Sequence, residues 1–106
     1  MPKYVFTYHG GGVPESEEEQ QATMAAWGAW MGANESSFAD MGAPTGMAKT
    51  VSADGSTEGG GANPITGYSL IDAADIDAAC KIAEGCPVVA SGGSVQVAET
   101  FEIDMG

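Results

Sequence analysis

The sequence predicts an α+β domain in which two helices cover one face of a mainly antiparallel sheet, the ferredoxin-like arrangement. The chain has 106 residues, of which 43% are hydrophobic, so we expect one domain (residues 1–106) with a single core. The predicted elements follow in the order strand, helix, two or three short strands, helix, strand. Antiparallel strands with both helices gathered on one side explain this order.

The first third of the chain predicts a strand and then a helix. Residues 3–9 alternate aromatic and β-branched side chains and end at a run of glycines, which is typical of a strand. Ser16 and the three glutamates after it form a capping box, so we expect a helix that ends at Gly32 or Ala33. Its apolar side chains recur at helical spacing and predict a buried stripe or, if exposed, a partner-binding patch: Met24, Trp27, Trp30 and Met31.

The middle of the chain predicts short strands and a loop. Residues 37–41 and 48–52 are strand candidates, and each is followed by a turn signal. Residues 53–63 contain four glycines and no large apolar side chain, so we expect a mobile surface loop there.

Residues 65–71 predict another strand, and a second helix follows. We place the helix N-cap at Asp72 with Asp75 in the first turn, and the end of the helix at Gly85 and Pro87. The apolar stripe predicted for this helix consists of Ile76, Ala79, Cys80 and Ala83.

The last predicted strand, residues 95–103, carries a carboxylate in an apolar row. Glu99 interrupts an alternation made by Val95, Val97, Phe101 and Ile103. A carboxylate on an apolar face needs a partner or a wet cavity. Glu99 is therefore a candidate pocket residue; the alternatives are a break in register or a salt bridge to a second copy of the chain.

Two further residues are candidates for proton transfer. His9 ends the first strand beside permissive glycines, and an imidazole facing a cleft suits acid–base chemistry; a capping or surface histidine is the alternative. Asp40 lies near the end of the second strand and could orient His9 or act as a base, unless it is simply solvated. With Glu99, these groups could serve proton abstraction, elimination or isomerisation. They do not predict a metal site, and no cofactor is predicted.

The charge balance excludes several classes of partner. Fifteen Asp and Glu face three Lys, for a net charge of −12. DNA, RNA and anionic membranes bind clusters of cationic side chains, so we expect neither a nucleic-acid nor a membrane partner. No apolar run approaches the roughly 20 residues of a membrane span and no signal peptide is recognisable, which predicts a soluble, cytoplasmic protein. Cys80 and Cys86 are expected to be reduced thiols, with a disulfide as the alternative.

The first strand predicts a dimer. Tyr4, Phe6 and Tyr8 share one face of it, whereas Val5, Thr7 and His9 share the other. Helices on one side of the sheet cover only one of these faces. We therefore expect a second copy of the chain to cover the other face in a homodimer.

Three segments carry a family resemblance. One runs from Ile65 through Gly67-Tyr68 to Asp75 and leads into a helix that ends Gly85-Cys86-Pro87. Residues 92–97 (Gly-Gly-Ser-Val-Gln-Val) and residues 3–11 are the other two. Together they resemble the YCII-related domain, in particular its DGPF-type branch, over nearly the whole chain.

This resemblance implies a dimeric α/β barrel, in which two ferredoxin-like protomers pack sheet to sheet with a cleft on each. The chain departs from the family pattern at two points. Residues 54–57 read Asp-Gly-Ser-Thr where the branch has Asp-Gly-Pro-Phe. Trp27 stands at or near the position of a helix histidine thought to act with an aspartate. Most of the family has no established activity.

Two functions follow from these observations. The first is a module that binds a small molecule in a cleft on the sheet face of the homodimer. The alternative is a metal-independent enzyme of lyase, isomerase or dehydrochlorinase type, which uses His9 with Asp40 or Glu99 for proton transfer.

Overall fold

The computed structural model describes residues 1–11 and 15–101. A single-turn 3-10 helix at Glu35–Ser37 accompanies the strands and helices. In chain order these are β1 (Lys3–His9), α1 (Glu17–Ala33), β2 (Phe38–Pro44), β3 (Lys49–Ser52), β4 (Gly55–Glu58), β5 (Ile65–Asp72), α2 (Ile76–Glu84), α3 (Pro87–Ala90) and β6 (Ser94–Glu99).

The main sheet has four strands in the order β2-β5-β1-β6, and all three neighbouring pairs are antiparallel. This is the strand order of a ferredoxin-like plait, so the predicted α+β fold is confirmed. A short third helix, α3, is present in addition to the two predicted helices. Helix α2 packs against β6 and β1, and α3 packs against α1 and β6.

Alternation along β1 divides the sheet into a helix-covered face and an open face. Tyr4, Phe6 and Tyr8 point towards the helices and are buried, whereas Val5 and Thr7 on the open face are half-buried. The core on the covered face is completed by Trp30, Ile71, Ala73, Ala79, Ala83, Cys86 and Val88.

Helix α1 begins where the capping box predicts. The Ser16 hydroxyl accepts a hydrogen bond from the Glu19 N–H at 3.1 Å, and the Glu19 carboxylate accepts one from the Glu15 N–H at 2.9 Å. The apolar stripe is only partly buried, however. Trp30 is buried and Trp27 half-buried, but Met24 is 67% exposed, because the N-terminal half of α1 stands off the sheet.

Helix α2 begins later than the sequence predicts. Its N-cap is Asp75, whose carboxylate accepts from the Ala78 N–H at 2.8 Å. Asp72 instead belongs to β5, one residue past the predicted end of that strand, and its backbone pairs with that of Lys3 in β1. In the predicted stripe, Ala79 and Ala83 are buried but Ile76 and Cys80 are exposed.

Part of the segment predicted as a mobile loop forms a hairpin. Strands β3 and β4 pair with Lys49 opposite Glu58, and these two side chains form an ion pair at 3.5 Å. Gly55, whose φ of +119° favours glycine, follows the two-residue turn that joins the strands. All eight strand residues are exposed.

The last strand is shorter than predicted. β6 ends at Glu99, and Phe101 beyond it is exposed. Ile103, the last member of the predicted apolar row, lies outside the described residues. None of the described helices is both long and apolar enough to cross a membrane.

Tyr8 and Cys86 are titratable groups of the core whose pKa values are strongly raised. Burial raises the pKa of Tyr8 to about 12, against the opposing effect of its hydrogen bond with Ser69. Burial also raises the pKa of the Cys86 thiol to about 11. Both cysteines are free thiols, Cys80 exposed and Cys86 buried.

The bulge in β2 generates a prediction at Gly42. Its φ is +72°, and a Cβ there would collide with the backbone carbonyl of Tyr68. We expect Gly42→Ala to lower the free energy of unfolding in urea by more than about 2 kcal/mol. Gly92→Ala is the matched control, because Gly92 also has a positive φ (+92°) but open space around it; its cost is about 1–2 kcal/mol. Equal losses in the two variants would contradict the predicted collision.

The core thiol and phenol predict destabilisation in alkali. The folded chain holds both protons more tightly than the unfolded chain, whose pKa values are 9.0 for the thiol and 10.0 for the phenol. Stability is therefore complete below a pH of about 9 and is lost as the pH rises through about 11 and 12. At a pH of about 11 the loss is on the order of 3 kcal/mol.

Urea denaturation across this pH range measures the loss. Tyr8→Phe removes about 1 kcal/mol of it, since one of the two titrating groups is then absent. A denaturation midpoint that stays constant from neutral pH to a pH of about 11 would show the prediction to be wrong.

Candidate functional site

A cavity of about 600 Å³ lies between helix α1 and the sheet edge formed by β2 and β5. We call it the α1 cleft. It lies on the helix-covered side of the sheet, not on the open face where the sequence analysis expects a ligand. Its lining consists of Tyr8, Met24, Trp27, Gly28, Met31, Met41, Gly42, Ala43, Pro44, Thr66, Gly67 and Tyr68.

The cleft exists because α1 is attached near its C-terminal end. The Trp30 indole N–H donates to the Ile82 carbonyl at 2.9 Å, and the Trp30 ring packs edge-to-face against Tyr8 and Phe38. Residues 17–26 are all exposed. Gly28 lines the gap, and a Cβ added there would meet nothing within 4 Å.

The floor of the cleft contains a short hydrogen-bond relay. The Tyr8 hydroxyl donates to the Ser69 hydroxyl at 2.7 Å, and the Ser69 hydroxyl donates to the Met41 carbonyl at 2.7 Å. Ser69 is fully buried. Burial raises the pKa of Tyr8 to about 12, so the phenol stays protonated well above neutral pH.

The chemistry of the lining is apolar and aromatic. Trp27 meets Tyr8 edge-to-face with ring centroids 5.0 Å apart. Three methionines, Met24, Met31 and Met41, line the same space, and their flexible thioethers adapt to irregular ligands. No charged side chain belongs to the described lining.

His9 is held by three hydrogen-bond partners. It is 5% exposed; its Nε2 lies 2.8 Å from the Thr7 hydroxyl, and its Nδ1 lies 3.0 Å from the Asn63 carbonyl and 3.2 Å from the Pro64 carbonyl. Carbonyl oxygens only accept, so Nδ1 carries a proton. Both ring nitrogens are occupied, and the imidazole fastens residues 63 and 64 to the end of β1.

Asp40 and Glu99 are both exposed. One carboxylate oxygen of Asp40 accepts from the Gly42 N–H at 2.8 Å and supports the bulge of β2. Glu99 ends β6 opposite Tyr4. Burial raises the pKa of the Tyr4 phenol, and the charges of Glu99 and Asp75 raise it further.

The sheet register separates these three candidates. Glu99 is opposite Tyr4, five residues along β1 from His9, which corresponds to roughly 17 Å. Asp40 is opposite Leu70, which in turn is opposite Val5. None of the three candidates belongs to the described lining of the α1 cleft. Within residues 1–11 and 15–101, no three His, Cys, Asp or Glu side chains form a potential metal-binding group.

The sequence analysis missed Tyr8, Ser69 and Gly42 as residues of the site. Tyr8 belongs to the alternating pattern of β1 that predicts a core residue, and nothing in the sequence indicates that α1 leaves part of it uncovered. Gly42 did carry a signal, since a glycine inside a strand often marks a bulge.

Comparison with known proteins identifies a family. A model of the YCII-related domain family matches residues 4–103. No curated protein and no solved structure matches the chain significantly. With nearly its entire length matched by that model, the chain belongs to the YCII-related domain family.

Proposed function

We propose that this protein binds an uncharged, largely apolar small molecule in the α1 cleft, and that it works as a homodimer. The observation that carries the proposal is the lining of the cleft, which combines aromatic rings and methionines and contains no charged side chain among the described residues. Small-molecule sites are typically concave, mostly apolar and about 300–1,000 Å³ in volume, and the α1 cleft has about 600 Å³.

The charge of the chain supports an uncharged ligand. With a net charge of −12, the protein repels anions at long range. The three lysines, Lys3, Lys49 and Lys81, are outside the described lining, so an anion entering the cleft would lose its hydration without gaining a cationic partner.

We prefer binding to catalysis. The enzyme alternative, a lyase, isomerase or dehydrochlorinase, requires His9 to meet Asp40 or Glu99 near a substrate. The sheet register argues against that meeting, and both ring nitrogens of His9 are engaged by neighbouring groups. The catalytic roles of these three residues stay predictions.

The open face of the sheet supports the homodimer. Val5, Leu70 and Ala98 lie on this face and are half-buried, while the helices pack against the opposite face. A second copy placed sheet to sheet would cover these side chains, as the dimeric barrel implied by the DGPF-type branch requires. The two free thiols are consistent with a reducing compartment such as the cytoplasm, and the net charge argues against nucleic-acid and anionic-membrane partners.

Two leucine substitutions on α1 test the binding site. Gly28→Leu places a side chain in the cleft, whereas Gly32→Leu, four residues along the same helix and outside the lining, does not. Both positions have open space around the added Cβ, and leucine favours helix more than glycine does. We expect both variants to be at least as stable as the wild type, and only Gly28→Leu to lose ligand binding.

Ligand-observed NMR with para-methylanisole, an uncharged aromatic ether, measures the binding. The wild type and Gly32→Leu should bind the ether, Gly28→Leu should bind it at least about tenfold more weakly, and the anion para-toluate should not bind. Absence of binding to the wild type, or equal binding by the two variants, would refute the proposed site.

Two glutamate substitutions test the dimer. Leu70→Glu puts a charge on the open face, and Val51→Glu puts the same charge on the hairpin, where Val51 is 78% exposed. In sedimentation experiments at micromolar concentration we expect dimers for the wild type and Val51→Glu, and monomers for Leu70→Glu, since an unpaired charge buried at an interface is costly. A monomeric wild type would overturn the dimer.

A further inference from the structure

We infer that the ligand of the α1 cleft is held by a hydrogen bond that it donates to the phenolic oxygen of Tyr8. This inference rests on the proposed function, and it adds the chemical class of the ligand: an apolar body that carries an O–H or N–H donor.

The polarity of the relay at the floor of the cleft is fixed at its far end. The Met41 carbonyl accepts and has no proton to give, so the Ser69 hydroxyl donates to it. The Ser69 hydroxyl has a single proton, which it donates to the Met41 carbonyl, so its oxygen accepts the hydrogen bond from Tyr8. The single proton of Tyr8 is thereby committed to Ser69. What the Tyr8 oxygen still offers is lone-pair capacity, that is, an acceptor.

The acceptor is held in place before a ligand arrives. Tyr8 is buried, and its ring is packed edge-to-face against Trp27 and Trp30. Within residues 1–11 and 15–101, no group donates a hydrogen bond to the Tyr8 oxygen. A ligand donor therefore finds an oriented acceptor in apolar surroundings, where a hydrogen bond is stronger than in water and little ordering is required on binding.

These properties define which molecules use the anchor. Phenols, alcohols, indoles and amides have the required donor. Ethers, ketones and esters without a donor fill the cleft but leave the Tyr8 oxygen unpaired. Two properties exclude carboxylate anions: they only accept hydrogen bonds, and their charge has the same sign as that of the protein.

A pair of isomeric probes tests the inference. Para-ethylphenol and para-methylanisole have the same composition and similar shape, both are uncharged at neutral pH, and only the phenol donates. We expect ligand-observed NMR titrations of the wild type to show the phenol binding about threefold to tenfold more tightly than the ether, the range for one neutral hydrogen bond.

Three variants locate the donor contact. Tyr8→Phe should abolish the preference for the phenol while leaving the affinity for the ether within about twofold of the wild type. Tyr68→Phe is the control for the loss of another phenol hydroxyl near the cleft. Tyr68 belongs to the lining, but it pairs with Thr7 on the opposite face of the sheet from Tyr8, so this variant should keep the preference. Ser69→Ala removes the group to which the Tyr8 hydroxyl donates. Tyr8 can then donate to the ether oxygen, so the difference in affinity between the phenol and the ether should become smaller. Circular dichroism checks that each variant is folded. If Tyr8→Phe does not fold, the comparison of Ser69→Ala with the wild type still tests the inference.

The outcomes separate this inference from the proposed function. If Tyr8→Phe keeps the preference for the phenol, or if Ser69→Ala leaves it unchanged, the anchor is not Tyr8 and the inference is wrong. The proposed function then survives as long as Gly28→Leu weakens both probes. If neither probe binds the wild type, or if Gly28→Leu changes nothing, the proposed function fails and this inference fails with it.

Discussion

The attachment of α1 through Trp30 is the interaction on which the site depends. One buried indole joins the helix to the Ile82 carbonyl of α2 and to the aromatic rings of Tyr8 and Phe38. The α1 residues before Trp27 are exposed. The packing of Trp27 and Met31 against the core adds to this attachment, so α1 is held along its C-terminal half. Cavities of about 600 and 730 Å³ remain on its two sides, and the first of them is the α1 cleft.

Local sequence signals predicted the elements of this fold well. The Ser16 capping box fixed the start of α1 because its hydrogen bonds lie within four residues. The start of α2 was harder, since Asp72 and Asp75 are both acceptable N-caps. Asp72 is not the N-cap because its backbone pairs with that of Lys3 in β1, and this strand pairing joins residues far apart in the sequence. The strand candidate at residues 48–52 corresponds to β3, whereas hydrophobic spacing missed its partner β4, because β4 contains no apolar side chain.

The candidate site was less predictable for the same reason. His9 looked available in the sequence because the carbonyls that occupy it belong to Asn63 and Pro64, more than fifty residues away. Tyr8, its neighbour, has the pattern of a core residue and is one. Tyr8 lines the cleft because of the position of α1 relative to the sheet, and this position depends on long-range packing rather than on residues near Tyr8 in the sequence.

The departure of this chain from its family pattern falls on the cleft itself. Trp27 stands at or near the position where the resemblance implies a helix histidine, and its ring lines the cleft against Tyr8. A histidine there would bring a titratable group to the ligand, whereas an indole brings apolar surface. Burial raises the pKa of Tyr8, the residue beneath it, to about 12. Under the proposed function, the position of Trp27 therefore supplies apolar surface to the ligand in place of a group that transfers protons.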